Sequence, residues 1–388
     1  MAKRTYQKKK NGGGQIVKIA KMESFFVKPR WHFLKITTDD GLVGWGEPIV
    51  EGRARTVAMA VKELEPVLIG QNPLEIERIW TEVYRGTFYR GGPVLVSALS
   101  GIDQALWDIK GKFFGVPVYE LLGGPTRKRV RTYAHMRGNT LDELIENAKQ
   151  SVEQGFTVFK THVEKGPVRP LDTVQFIDDG VEKVGRLRDA LPKHVDLALD
   201  FHGRFTPAMS IRMIRELEQF KLMFVEEPVQ CENVDALVTV ARSTCIPIAT
   251  GERLFTRWGF REVLEKQAAV ILQPDLCHAG GITEVRKIAA MAEVYYAQIA
   301  PHNPLGPISL AAGLQVAGSI PNFLCQEQVS LGEGYLKEPF KIKDGHIDLP
   351  TKPGLGIEVD EEYIKEMAYA GDWDSPRWYN DDGSFTEW

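Results

Sequence analysis

After residue 128 the chain falls into a repeat, and that repeat limits the fold more than anything else in the sequence. Short apolar runs alternate with amphipathic stretches at intervals of about 25 residues, the pattern of successive βα units. Eight runs fit it: VRTYAH, TVFKTHV, VDLALDFH, LMFVEEP, IPIATGE, AVILQPD, AQIAPHN and FLCQEQ. Stretches such as SIRMIRELEQF and GITEVRKIAAMAEVY lie between them. Parallel strands need crossovers of this kind, and eight of them predict a closed barrel over residues 129–330. A doubly wound open sheet is the competing reading, but the units carry no G-x-G-x-x-G turn and no point of reversal.

Residues 15–128 read differently, with strands first and helices after. QIVKIAKMESFFV and WHFLKITTDDGLVGWGE predict an antiparallel meander that turns at Asp40-Gly41. In SGIDQALWDIKGKFFG, Ile102, Ala105, Leu106, Ile109 and Phe113 recur at three and four, one face of a helix ending at Gly115. This is an α+β domain. The turn-rich hairpin FKIKDGHIDLPTKPGLGIEV opens a segment, 331–388, expected to fold back toward that first domain.

With 388 residues, 43% apolar and 10% aromatic, the chain can bury the cores of more than one domain. A net charge of −4 on 26% charged residues creates no large field of either sign, so the expected partner is a small molecule rather than nucleic acid or membrane. No apolar run reaches the roughly 18 residues of a membrane span. The basic residues 1–14 lack the apolar middle of a signal peptide and read as a disordered or tag-like arm, so a cytoplasmic location is expected. Cys231, Cys245, Cys277 and Cys325 show no Cys-x-x-Cys spacing and read as reduced thiols.

Polar residues close nearly every barrel run: Lys160 and His162, Asp200 and His202, Glu226 and Glu227, Glu252, Asp275, His302, and Glu327. Parallel barrel strands bring these ends to one mouth, where active sites are built. Side chains alternate along a strand, so Asp200 and His202 are expected to project together beyond the end of theirs. Asp200, Glu226 and Glu252 are spaced 26 and 26, one unit each, and so face one point. Carboxylates about 4 Å apart repel by roughly 4 kcal/mol per pair at an effective dielectric of 20. An all-oxygen cluster open to substrate is what Mg²⁺ prefers, whereas Zn²⁺ favours histidine and cysteine. Asp275 ends the run before His302, and an aspartate beside an imidazole fixes its tautomer and raises its basicity, which makes a general base. His202 faces the cation from the other side, and Lys160 is a further donor.

In order and spacing, PRWHFLKITTDDGLVGWGEP, EGRART, FYRGGP, GIDQALWDIKGK, LDFHGR, EEPV, GERLF, ILQPDLCHAGGITE, APHNPLGPISLAA and TKPGLGIEVDE closely resemble the enolase superfamily, in its mandelate racemase subgroup. The resemblance implies an α+β capping domain over a modified TIM barrel of (β/α)7β type. The lid loops match FVKPRWH, with Arg30 and Trp31, and VEGRAR. By the same resemblance Asp200, Glu226 and Glu252 are magnesium ligands, and His302 is the base assisted by Asp275. His202 is the acid that protonates a departing hydroxyl, and Glu327 hydrogen-bonds the enolate oxygen. Arg204, in LDFHGR, and the lid pair Arg30 and Trp31 are expected at the substrate.

The implied activity is a Mg²⁺-dependent acid-sugar dehydration. The C2 proton is removed and the 3-hydroxyl is lost to give a 2-keto-3-deoxy acid, with D-galactonate the first choice among substrates and gluconate or another aldonate the alternative. Enolase-superfamily sites run such chemistry with a lysine or histidine base and magnesium stabilising the ene-diolate. Two positions depart from the pattern. FKTHVEKG places His162 where racemases of the group carry a second lysine and dehydratases an asparagine, and YAHMRG places His135 where another residue is expected. Both are candidate substrate contacts, and either Lys160 or His162 would be the second base for a racemase, epimerase or cycloisomerase. A barrel metallohydrolase would want His-x-His on the first strand, which TYAHMRG lacks. A non-catalytic binding protein would be expected to have lost ligands, and all are present. Enzymes of this kind are commonly homo-oligomers.

Overall fold

The computed structural model describes residues 17–136, 138–163, 168–169, 171 and 174–387. The basic arm at 1–14 lies outside the described residues. The first domain opens with the meander β1 (Ile19–Val27), β2 (Trp31–Thr38) and β3 (Val43–Gly46), antiparallel in that order. Helices α1 (Ala54–Leu68), α2 (Ile76–Arg85) and α3 (Pro93–Phe114) follow, and the short α4 (Val118–Leu121) leads to the barrel. Gly115 ends α3 with φ +72°, a left-handed conformation that favours glycine. The sheet and α3 touch almost backbone to backbone: a Cβ on Gly46 would sit 1.9 Å from the Gly101 carbonyl oxygen.

The barrel begins at β4 (Arg129–Arg131) and β5 (Ala134–His135). It continues α5 (Leu141–Glu153), β6 (Val158–His162), α6 (Val174–Ala190), β7 (Asp196–Asp200), α7 (Pro207–Leu217), β8 (Phe224–Glu226) and α8 (Val234–Ala241). It ends β9 (Ile248–Thr250), α9 (Thr256–Glu265), β10 (Ile271–Leu272), α10 (Gly281–Val294), β11 (Gln298–Ile299) and α11 (Pro307–Ala317). Strands β5 to β11 pair in sequence order, all parallel. The eighth run, FLCQEQ, forms no continuous strand. It closes the ring through single parallel bridges instead, Phe323 to Ile299 on one side and Gln326 to Thr132 on the other. The lumen confirms the closure, because one buried layer takes one residue from each run: Tyr133, Val158, Ala198, Phe224, Ala249, Ile271, Ala300 and Cys325. All four cysteines are free thiols.

The C-terminal segment touches both domains. Strands β12 (Ile342–Lys343) and β13 (His346–Asp348) add antiparallel to β4 under the barrel. Helix α12 (Glu361–Glu366) lies on the first domain, where Glu361 pairs with Lys35 at 2.6 Å and Ala368 bridges Val27. A last hairpin pairs β14 (Trp378–Tyr379) with β15 (Phe385–Thr386). No helix among the described residues is long and apolar enough to cross a membrane.

Helix α3 differs from the one-faced helix that its apolar spacing predicts. Ile102, Ala105, Leu106 and Ile109 are buried, but Phe113 is 46% exposed, and the apolar stripe stops one turn short of the helix end. The opposite face, polar in sequence, is buried too, because the barrel packs on it. Gly280 N–H donates to Ser100 Oγ at 2.9 Å, and Thr283 N–H donates to Asp103 at 3.0 Å. Gln104 donates to the Leu276 carbonyl at 2.8 Å, and Trp107 donates to Thr283 Oγ1 at 2.8 Å. Glu47, just past β3, accepts the N–H groups of Gly306 and Ser309 at 2.7 and 3.0 Å at the start of α11. Carboxylates thus meet the N-termini of two barrel helices, where unpaired N–H groups and the helix dipole favour negative charge.

Asp103→Ala leaves the Thr283 donors unpaired at a buried seam, with an expected cost of about 1–3 kcal/mol. Thermal unfolding should show a lower midpoint, and an unchanged midpoint would remove Asp103 from the forces that join the domains.

Candidate active site

Each polar group at the mouth stands on an inward-facing position above the lumen layer. Tyr133 is followed two residues on by His135, Val158 by Lys160 and then His162, Ala198 by Asp200, Phe224 by Glu226, Ala300 by His302 and Cys325 by Glu327. Two residues is one full period of a strand, so the sequence that fills the lumen with apolar side chains also aims the next ones into the mouth. Glu252 and His202 are the exceptions: Glu252 follows Ala249 by three residues, past the end of β9. Strand β7 stops at Asp200, and His202 follows in a turn with φ +50°, its N–H donating to Asp200 Oδ1 at 2.9 Å. A left-handed turn, not strand alternation, brings it to the cavity.

Asp200 and Glu226 face each other across the β7–β8 register, and Glu252 lies just past β9. One oxygen from each lies within 4.8 Å of the others. Burial raises Glu226 to about 7, with Asp200 adding to the rise. Burial and the neighbouring acids hold Glu252 well above the usual carboxylate range. These acids lack sufficient positive charge. Lys160 supplies part of it, its Nζ lying 2.9 Å from Glu226 Oε2 and 3.2 Å from both Asp200 Oδ2 and Glu327 Oε1. Burial works against that ammonium, but Glu226 and Glu327 outweigh it and hold Lys160 well above its ordinary value. An oxygen-only trio short of counter-charge suits a hard divalent cation.

His302 stands beside the trio. Its Nδ1 lies 2.8 Å from Asp275 Oδ2 and its Nε2 lies 3.3 Å from Glu252 Oε2. Burial disfavours the charged imidazole, but Glu252 and Asp275 outweigh burial and hold it well above the usual range. Asp275 is fixed in turn by the Cys277 N–H at 2.6 Å. On the other flank, His202 Nε2 is 3.4 Å from Asp200 Oδ2, and its ring stacks on His162 with centroids 4.6 Å apart. Burial lowers both imidazoles, His162 to about 3.

One cavity of about 490 Å³ joins these groups, lined by His135, Lys160, His162, Asp200, His202, Glu252, His302 and Glu327, with Arg30 and Glu51 from the first domain. Arg30 donates to the Pro304 carbonyl at 3.2 Å and packs over Trp373. Two expected substrate contacts lie elsewhere. Trp31 is buried among Phe33 and Tyr335, with ring centroids 6.1 and 5.2 Å away. Arg204 is buried behind His202, 3.5 Å from its Nδ1 and over the Trp378 ring at 4.8 Å. Sequence reasoning missed Glu51, Arg253 and His278, which also line the cavity. All three sit inside stretches already singled out, VEGRAR, GERLF and DLCHAGG, and the one signal for them was adjacency to residues already chosen.

Residues 143–363 match the enolase C-terminal domain-like family, and residues 24–123 match the N-terminal domain of mandelate racemase and muconate lactonizing enzyme. The chain belongs to the mandelate racemase and muconate lactonizing enzyme family. Among members of that family, the D-galactonate dehydratase of Variovorax paradoxus (strain S110) is 48% identical over 384 residues, covering 96% of this chain and 100% of that protein. That of Pectobacterium atrosepticum is 47% identical over 386 residues, with the same coverage. The crystal structure of a mandelate racemase/muconate lactonizing enzyme from Sulfitobacter is similar with a TM-score of 0.87 and 35% identity, over 92% of this chain and 96% of that one. A member of the enolase superfamily from Salmonella Typhimurium has a TM-score of 0.85 and 33% identity, over 90% of this chain and 98% of that one.

Cation binding at the trio requires Glu226 and Glu252 to give up their protons. With Mg²⁺ as the probe, apparent affinity should weaken as pH falls through about 7, the value for Glu226, by roughly tenfold per unit for each proton displaced. Asp200→Asn, Glu226→Gln and Glu252→Gln should each weaken it further. Calorimetry or the Mg²⁺-induced rise in melting temperature measures both effects, and affinity independent of pH between 5.5 and 7, roughly the window set by one such proton, would contradict the assignment.

Proposed function

We propose that this protein dehydrates D-galactonate to 2-dehydro-3-deoxy-D-galactonate, with Mg²⁺ held by Asp200, Glu226 and Glu252. It is an acid-sugar dehydratase of the enolase superfamily, a carbon–oxygen hydro-lyase. The observation that carries the assignment of roles is the pairing of His302 with Asp275 on one flank of the carboxylate trio and His202 on the other, around a single cavity. When bound, the cation supplies charge that stabilises an ene-diolate and offsets the Glu252 carboxylate beside His302.

The residues divide the remaining work. Asp275 holds the His302 Nδ1 proton, which leaves Nε2 free to take the proton from C2. The electron pair left at C2 spreads into the substrate carboxylate. There the Lys160 ammonium, anchored 3.2 Å from the Glu327 carboxylate, lies beside the second oxygen and opposes charge that develops mainly in the transition state. His202 then gives a proton to the 3-hydroxyl, the C3–O bond breaks and water leaves. The resulting enol becomes the 2-keto acid by gaining a proton at C3 and losing the one on the C2 oxygen. Burial keeps water from competing for these protons: Asp200 is 2% and Glu327 1% exposed. His162, stacked on His202 and lining the cavity, is placed to read a hydroxyl of the substrate chain.

A panel of aldonates and aldarates assayed for 2-keto product tests the substrate, with D-galactonate expected to give the highest kcat/KM; a preference for another acid sugar would move the assignment to that sugar. His162→Asn should shift preference between epimeric acids by about one to two orders of magnitude, the scale of a lost directional contact. The two flanking histidines separate by isotope exchange. His302→Asn should lose both dehydration and exchange of the C2 hydrogen with solvent deuterium, whereas His202→Asn should lose dehydration while retaining exchange. NMR of unreacted substrate reads the exchange, and the opposite pattern would reverse the two roles.

A further inference from the structure

We infer that His135 is a positioning residue for Glu327, holding that carboxylate in its reactive place, rather than a contact for the substrate. The inference rests on the dehydratase reading above and concerns how one part of that site is kept in register. His135 Nε2 lies 2.8 Å from Glu327 Oε1. This nitrogen is buried, and no hydrogen-bond partner among the described residues is aligned with it, so the contact with Glu327 is a close ionic approach rather than a directed hydrogen bond. A carboxylate this close requires the proton on Nε2, so the tautomer is fixed by the contact. The imidazole plane is fixed from below, where the Tyr133 ring meets it edge-on at 5.4 Å and 63°.

Glu327 is held from three sides. The Asn303 N–H donates to Oε2 at 2.7 Å, while Lys160 Nζ and His135 Nε2 meet Oε1 at 3.2 and 2.8 Å. These holders are not equivalent. The Asn303 donor is backbone and cannot follow the side chain. Lys160 divides its ammonium among three carboxylates, two of them in the cation trio, so its pull on Glu327 changes with whatever the trio holds. His135 alone among the three is a side chain committed to Glu327. Burial pushes the Glu327 carboxyl toward protonation, but Lys160 and His135 outweigh it and hold the group well below the usual range. Displacements well under an ångström matter for a carboxylate that anchors the Lys160 ammonium against developing charge, so a dedicated orienting partner has a direct effect on rate.

The test compares wild type, His135→Leu and His135→Gln with the aldonate that wild type turns over fastest. His135→Leu should lower kcat and the rate of C2 hydrogen exchange together, by about 10- to 100-fold, the range for loss of an orienting partner of a reactive group. KM and the ranking of aldonates should stay the same. His135→Gln, whose amide can still donate to Oε1, should recover most of the loss. A raised KM or a changed ranking at constant kcat would instead make His135 a substrate contact, and unchanged kcat and exchange in His135→Leu would overturn the inference. An arm independent of turnover guards against a folding defect in that variant. In the ¹⁵N spectrum of the otherwise intact protein, the Nε2 resonance lost in His135→Gln should shift in Glu327→Gln, and the absence of a shift overturns the contact. If wild type neither dehydrates any aldonate nor exchanges its C2 hydrogen, the functional reading fails, while the spectrum still decides the contact.

Discussion

Negative charge buried at the barrel mouth is the condition to which the rest of this structure answers. Asp200, Glu226 and Glu327 are each 2% exposed or less, with Glu252 beside them. Coulombic repulsion among carboxylates is several-fold stronger there than in water, because the surroundings polarise so little. The chain responds with one ammonium, Lys160, in reach of three of them, and with imidazoles at the edges. That compensation is incomplete, as the raised Glu226 and Glu252 register. A site left in deficit of positive charge has a built-in appetite for a cation, and the same deficit is what lets a bound cation lend its charge to a substrate.

Much of this was legible because barrels impose a simple rule. A strand of known direction with a known inward set must aim its next inward residue at the mouth, so the residues after the lumen layer read as a candidate site from the sequence alone. That rule points to His202 as well, but for the wrong reason: the strand ends first, and a left-handed turn does the aiming. Trp31 and Arg204 are expected at the substrate only because the stretches that contain them resemble the family, and a stretch says nothing about the direction of a side chain. Trp31 turns into the aromatic packing of the lid and Arg204 onto Trp378, more than 170 residues away in sequence. Long-range partners of this kind leave no local periodicity to read.

Helix α3 marks the same limit in the fold. Its apolar spacing identified the face that packs on the meander, yet Ser100, Asp103, Gln104 and Asp108 on the other side look like an ordinary solvated surface. They are buried because their partners come from elsewhere in the fold: the barrel gives Ser100, Asp103 and Gln104 the N-terminus of α10 and a carbonyl, and Asp108 accepts the N–H groups of Leu355, in the C-terminal segment, and Trp45. Sequence patterning distinguishes apolar from polar, not exposed from satisfied, and a polar seam between two domains is satisfied without being exposed.

The C-terminal segment has a consequence for how the protein comes into being. Residues past 340 complete the sheet under the first barrel strand, and residues past 360 pin the first domain. Trp378 backs Arg204 behind His202, Thr386 donates to the Val168 carbonyl, and Glu387 reaches the cavity wall. During synthesis the chain emerges in the opposite order, so both domains are made before the strap that ties them together. The contacts that tie the two domains together and back the mouth therefore form only after both domains have been synthesised.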